Sequence, residues 1–400
     1  MNYPGVLYKD PGVMAKIAAA HAVGKPIDGH APGMRGADVI TYAGAGISTD
    51  HECIALDEAL DKIAAGMYIL MREGSAAKNF EALHTLLRLH PDRVMLCSDD
   101  KHPDELVMHH INELVRRAVA KGYDVYDVLR AASVNPVTHY KLPVGLLREG
   151  DAADFVVVDS LQHFGVLQTW INGQLVAAAG KSLIAYSEAG VINSFAAEPR
   201  SETDFAIQAN GDGLLRVIVA NEGQLVTGEK LVPPTIANGL LVSNTDTDVL
   251  NIAVVNRYEP MAPVAVAFIT NFGLKEGAIA STVGHDCHNI IVVGVTDEAM
   301  CIAVNALIDC KGGIAVTNAQ GKVHTMPLSV AGLMSGDEGH KVAAAYTQID
   351  QLAKQLGTPM QAPFMTLSFM ALLVIPALKL SDKGLFDGAR FAFTTLQQPE

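Results

Sequence analysis

Three short clusters hold the residues with chemical potential. His51 lies in Ile47-Ser-Thr-Asp-His-Glu52, an apolar run that ends in polar side chains. Asp28-Gly-His30 precedes it, and Cys97-Ser-Asp-Asp-Lys-His102 follows. A hydrolytic metal site needs neutral imidazoles and carboxylates about 2 Å from the ion. It also needs a carboxylate that can take a proton from the attacking water. His30, His51 and Asp99 could supply both. Taken singly, a histidine at a strand end is more often a packing or hydrogen-bonding residue. Together, in tips rich in Gly, Ser and Asp, these residues point to one shared site. Asp50, Glu52, Arg72, Glu73, Ser98, Asp100 and His102 are candidates for contacts to the ligands or to substrate. Their plainer reading is a solvated rim of loop charges. Cys53 and Cys97 read as small core residues, because a nucleophilic thiol needs an activating base.

The elements that must position these clusters alternate. Asp10 caps and Pro11 opens a helix over residues 10–24 that Gly24 stops. A second helix is expected from Asp57 to Ala65 and a third from Asn79 to Leu89. Pro103 opens a fourth, with Leu106, Val107, Ile111, Leu114, Val115 and Ala118 on one face and His109 and His110 in its middle. Between them, Met67–Met71 reads as a strand delivering Arg72-Glu-Gly-Ser75, and Arg93–Cys97 as a strand delivering Ser98-Asp-Asp100. This is the rhythm of βα units, and barrel enzymes place their chemistry at the C-terminal ends of such strands.

Residues 146–188 read instead as a small β module, with a hairpin turning at Asn172-Gly173. Residues 189–400 read as a third, α/β region. Strands are expected at Leu214–Ala220, Val264–Phe268 and Ile290–Val295, and helices at Asp297–Ile308 and His340–Gln355. The apolar stretch Phe364–Leu380 is interrupted by Ser368 and Pro376 and is too short for a spanning helix, so it reads as buried. Half the residues are hydrophobic and 18% are charged, the balance of a folded enzyme. A net charge of −14 argues against nucleic acid or an anionic membrane as partner. The five cysteines form no CxxC pair and the N-terminus has no signal-peptide pattern, so a cytoplasmic protein with reduced thiols is expected.

A second polar knot, Gly284-His-Asp-Cys-His-Asn289, runs straight into an apolar strand. It is either a turn closed by its own side chains or a substrate-facing loop, the second being preferred. His285, Asp286 and His288 are its candidate contacts.

Ser48-Thr-Asp-His-Glu52, Arg72-Glu-Gly-Ser75, Cys97-Ser-Asp-Asp-Lys-His-Pro103 and His285-Asp-Cys-His-Asn289 together resemble the bacterial adenine deaminase family of metal-dependent amidohydrolases. So do Ala303-Val-Asn305, Gly332-Leu-Met-Ser335 and Leu378 to Asp387. The resemblance implies the C-terminal half of a (β/α)8 barrel over residues 1–145, the β module, and the family's C-terminal domain over 189–400. It implies His30 as the ligand after strand 5, His51 after strand 6, and Asp99 after strand 8 as ligand and proton carrier, with Glu73 as a further catalytic carboxylate. The implied reaction, part of purine salvage, is hydrolysis of adenine to hypoxanthine and ammonia by metal-activated water. The implied ion is Mn2+ or Fe2+ in a binuclear centre.

Members of that family also carry a His-x-His after strand 1 and a bridging Glu after strand 4. This chain holds no His-x-His. Residues 1–145 hold about four βα units, whereas a closed barrel needs eight and roughly 250 residues. The expectation is therefore a truncated form, whose open sheet edges point to a homo-oligomer or a separate N-terminal half. The alternatives are an inactive fragment that binds purine or a partner, and a related amidohydrolase acting on another cyclic amidine or amide.

Overall fold

Short apolar runs separated by amphipathic helices build a parallel sheet in the first part of the chain. In this computed structural model, which describes residues 1, 3–187, 189–209, 211 and 213–398, the chain divides into two compact units. The first holds residues 1–101 and 106–186, and the second 102–105 and 187–400. Residue 188, the end expected for the β module, lies outside the described residues. The protein is of the α/β class.

In the first unit β1 (Ile27–Gly29), β2 (Ile47–Asp50), β3 (Tyr68–Arg72) and β4 (Val94–Cys97) pair in parallel in sequence order. All four therefore end at one edge, and the polar clusters follow those ends. Asp10 accepts from Val13 N and caps the helix Pro11–Ala22. The helix Leu56–Ala64 follows β2, and its Ala59 is fully buried.

Two expected helices are broken. The third forms as Phe80–Leu83 and Leu86–Leu89. Leu87 N bonds His84 O at 3.1 Å and Arg88 N bonds Thr85 O at 3.1 Å. This i to i−3 tightening turns Leu83, Leu86 and Leu87 together into the core. The fourth forms as Pro103–Leu106 and Ile111–Ala120. Leu106 at the end of the first piece, and Val107 and Met108 after it, find no core and are exposed. His109 and His110 consequently lie in the break, not within a helix.

The module β5 (Phe155–Val158), β6 (Val166–Ile171), β7 (Gln174–Ala178) and β8 (Lys181–Ser182) is an antiparallel meander. Its Asn172-Gly173 turn has both φ angles positive, at 49° and 73°. Phe164 of this module is buried in the core formed by Phe80, Leu83, Leu86, Val94 and Leu114.

The second unit is built on one large sheet. Strands Leu250–Val255 and Ile290–Gly294 are buried at every position, as befits the centre of a sheet covered on both faces. Ala253, Val255, Ile290 and Val292 pack with Met300, Ala303, Val304 and Leu307 of the helix Asp297–Asp309. Phe364–Leu380, expected to be buried, forms the helix Pro363–Phe369 and the strand Leu378–Ser381, both buried throughout. Among the described residues no helix is long and apolar enough to cross a membrane.

Candidate metal centre

The parallel register brings the ends of β1, β2, β3 and β4 side by side. His30 follows β1, and its backbone N–H donates to Tyr42 Oη at 3.0 Å. His51 and Glu52 follow β2. His30 Nδ1 stands 3.4 Å from His51 Nε2, and each is 3.1 Å from the same oxygen, Glu52 Oε1. Glu52 is 3% exposed. Arg72, the last residue of β3, grips it with two parallel bonds, Nη1 to Oε1 at 2.7 Å and Nη2 to Oε2 at 2.8 Å. Arg72 Nη1 also pairs with Asp99 Oδ2 beyond β4.

These contacts set the charge states. Burial alone would raise the Glu52 pKa, but hydrogen bonds from His30 and His51 and the Arg72 charge hold it well below the carboxylate range. Burial alone would lower the His51 pKa, yet the Glu52 hydrogen bond, the Glu52 charge and the Asp99 charge raise it. Burial pushes the Cys97 thiol up to about 12, so it stays protonated.

The donor set fits a divalent cation. Metal–ligand bonds of about 2 Å at tetrahedral to octahedral angles put neighbouring ligand atoms about 3.0–3.4 Å apart. The nitrogens of His30 and His51 and the oxygen of Glu52 meet that spacing. Two imidazole nitrogens and one carboxylate oxygen facing a single point can share one cation once those nitrogens release their protons.

Of the residues singled out in the sequence, the structure therefore brings together His30, His51, Glu52, Arg72 and Asp99. Asp99 joins through Arg72, with 28% of its side-chain surface exposed. Glu73 turns to other partners. Its Oε2 accepts from Arg117 Nη1 at 2.6 Å, and its Oε1 accepts from Phe80 N at 3.3 Å. Ser98 is half-buried, and Asp100 is exposed, its carbonyl receiving Ser75 N at 2.9 Å.

His102 belongs to the second unit, where its ring lies 2.5 Å from Tyr346 Oη through Nδ1. Burial lowers its pKa to about 4, so it is neutral. The knot at residues 284–289 is a turn closed by His288 N donating to Gly284 O at 2.6 Å. The His285 ring stacks on Phe369 with centroids 5.1 Å apart. Asn289 Oδ1 receives Arg257 N at 3.2 Å, and Asp286 is exposed.

Residues without a sequence signal also shape the first-unit cluster. Asn79 was expected only to open a helix. Its Nδ2 donates to His51 O at 3.3 Å and Cys53 O at 3.0 Å, while its Oδ1 accepts from Arg72 N at 2.8 Å. One buried amide thus clamps the tip of β2 to the end of β3. Asp50, Glu58 and Lys62 form a buried charged knot below. Glu58 and Lys62 are four apart on a helix, a spacing that ordinarily marks an exposed pair. Only the burial of Ala59 beside them gives that face away.

Comparison with known proteins follows the same division of the chain. The family profile described as "Amidohydrolase family" matches residues 1–176, and that described as "Adenine deaminase C-terminal domain" matches residues 224–392. A Salinibacter ruber protein named adenine deaminase is 54% identical over 98% of this chain and 72% of its own length. One from Methanosarcina mazei is 52% identical over 99% of this chain and 73% of its own. One from a Sulfurovum species is 52% identical over 98% and 72%.

Proposed function

The chain belongs to the adenine deaminase family, and on that premise we propose that it hydrolyses adenine at C6 to hypoxanthine and ammonia. The observation that carries the reading is the meeting of His30, His51 and Glu52 at one point of the sheet edge. The family is metal-dependent. His30 and His51 would hold the ion, with Glu52 Oε1 facing the same point and Asp99 as a further ligand, and the ion would be Mn2+ or Fe2+ in a binuclear centre. When bound, such an ion acts as a Lewis acid that lowers the pKa of water and orients it.

The rest falls to the chain's own groups. The attacking water gives up a proton as its oxygen bonds to C6. The departing amino group takes one up as the C6–N bond breaks. A single carboxylate that receives and hands on the proton serves both steps. Asp99 is suited to this because it is partly open to solvent and paired to Arg72. Glu52, gripping Arg72 from the buried side, fixes the guanidinium that holds Asp99 in place.

The test is turnover. Incubated with Mn2+ and adenine, the chain releases hypoxanthine and ammonia in equal amounts. Asp99→Asn lowers kcat by about 10²–10⁴-fold and changes KM little. Adenine binding without ammonia release would replace this reading with a purine-binding protein. Release from another cyclic amidine or amide, but not from adenine, would replace it with a related amidohydrolase.

A further inference from the structure

Beneath the histidine cluster lies a second set of donors that could hold a metal ion, Asp50, Cys53 and Glu58. A side chain of the protein already fills it. Lys62, fully buried, donates from Nζ to Asp50 Oδ2 at 2.9 Å, to Glu58 Oε1 at 2.7 Å and to Ala31 O at 2.7 Å. All three of its protons are used. Its two carboxylates are equally engaged. Asp50 Oδ1 accepts from Ala31 N at 2.9 Å, and Oδ2 from Glu52 N at 3.1 Å and Cys53 Sγ at 3.3 Å. Glu58 accepts from Gly33 N at 2.8 Å and from Ile54 N at 3.2 Å.

Apart from the Lys62–Glu58 pair within the helix, these bonds reach two segments. Ala31 and Gly33 follow His30 in the loop after β1, while Asp50 at the end of β2 and Glu52, Cys53 and Ile54 in the loop after it surround His51. One buried ammonium on the helix Leu56–Ala64 therefore ties both loops to a common anchor. We propose that Lys62, with Asp50 and Glu58, is an internal cation site that positions the two metal-binding loops, setting the spacing at which His30, His51 and Glu52 meet. Lys62 is a positioning residue that acts through Ala31 and Asp50 on the neighbouring histidines. A permanent ammonium serves here where an exchangeable ion would leave the imidazole spacing dependent on its own occupancy. The inference rests on the reading of His30 and His51 as ligands, and its test separates the two.

Three proteins decide it: the wild type, Lys62→Met, and the triple variant Lys62→Met/Asp50→Asn/Glu58→Gln. Lys62→Met leaves two buried carboxylates without a counter-charge and can fail to fold. The triple variant replaces the knot with neutral groups of similar volume and removes that difficulty. Urea unfolding and Mn2+ affinity, read from the paramagnetic resonance of free Mn2+, are measured on each. The proposal expects the triple variant to unfold cooperatively near the wild-type midpoint but to bind Mn2+ about 10- to 100-fold more weakly. Wild-type Mn2+ affinity in the triple variant would overturn it and reduce the knot to charge balance. A wild type that binds no Mn2+ would count against the metal reading instead. The crystal structure of the triple variant then decides the inference on geometry. His30 Nδ1 and His51 Nε2 moved apart would support it, and the pair kept at 3.4 Å would overturn it.

Discussion

Arg72 joins the two carboxylates of the cluster, one buried and one partly open. Its guanidinium is 5% exposed and Glu52 3%, so neither charge can fall back on water. Burial alone would lower the Arg72 pKa, but Glu52 and Asp99 raise it, and it stays charged at any working pH. Arg72→Met removes the guanidinium that grips both oxygens of Glu52, and breaking a buried ion pair by removing one partner costs about 3–5 kcal/mol. Urea denaturation at neutral pH measures this, and a loss below about 1 kcal/mol would show that the pair behaves as an exposed one. The histidines were legible in the sequence because each follows an apolar strand and stands among turn-forming residues. Glu52 was legible only as a neighbour, since nothing in the order of residues says which of Asp50, Glu52 and Glu73 faces the imidazoles. Lys62, Glu58 and Asn79 were not legible as part of the site. Their importance comes from burial and from bonds to the backbone of other elements, which local sequence does not encode.

At the scale of elements, close packing of β1 on β2 decides whether the cluster forms. A Cβ on Gly29 would sit 2.2 Å from Thr49 O and 3.1 Å from Tyr42 Cε1. Gly29→Ala forces the strands apart next to His30, at a cost of about 1–3 kcal/mol. The loss of Mn2+ binding should exceed the loss of thermal stability, and a variant with wild-type Mn2+ affinity would contradict this. A second prediction belongs to the strand Leu378–Ser381. Lys379 is fully buried and donates to Leu225 O at 2.6 Å and Phe369 O at 3.0 Å. Burial lowers its pKa to about 7 from 10.5. Between those values the unfolded chain binds a proton that the folded chain does not, so this group makes the fold more stable as pH rises from about 7 to about 10.5. Lys379→Met removes that slope, which parallel urea titrations across the range detect. Identical pH profiles for the two proteins would contradict it. Periodicity located the helices Pro11–Ala22, Leu56–Ala64, Asp297–Asp309 and Gly339–Gln355 closely. It failed at residues 84–85, where i to i−3 bonds tighten the chain so that Leu83, Leu86 and Leu87 all reach the core, and at residues 107–110, where Val107 and Met108 continue the apolar run but stay exposed.

Across the whole molecule, a charge of −14 and a half-apolar composition identified a folded enzyme and nothing finer. The α/β class followed from strand–helix alternation, whereas the order β1-β2-β3-β4 and the large sheet of the second unit needed pairings far apart in sequence. The family was legible only from several motifs taken together, because no single one is specific. The chain spans 72–73% of the length of the adenine deaminases it matches. What unites residue, element and molecule is that parallel strand ends carry His30 and His51 to one point. The most direct measurement is hypoxanthine formed from adenine by the Mn2+-loaded chain, wild type beside His51→Ala. The account predicts turnover by the wild type and a fall in kcat/KM of about 100-fold or more in the variant. Equal turnover by the two proteins, or none by the wild type with its Mn2+ bound, would contradict it.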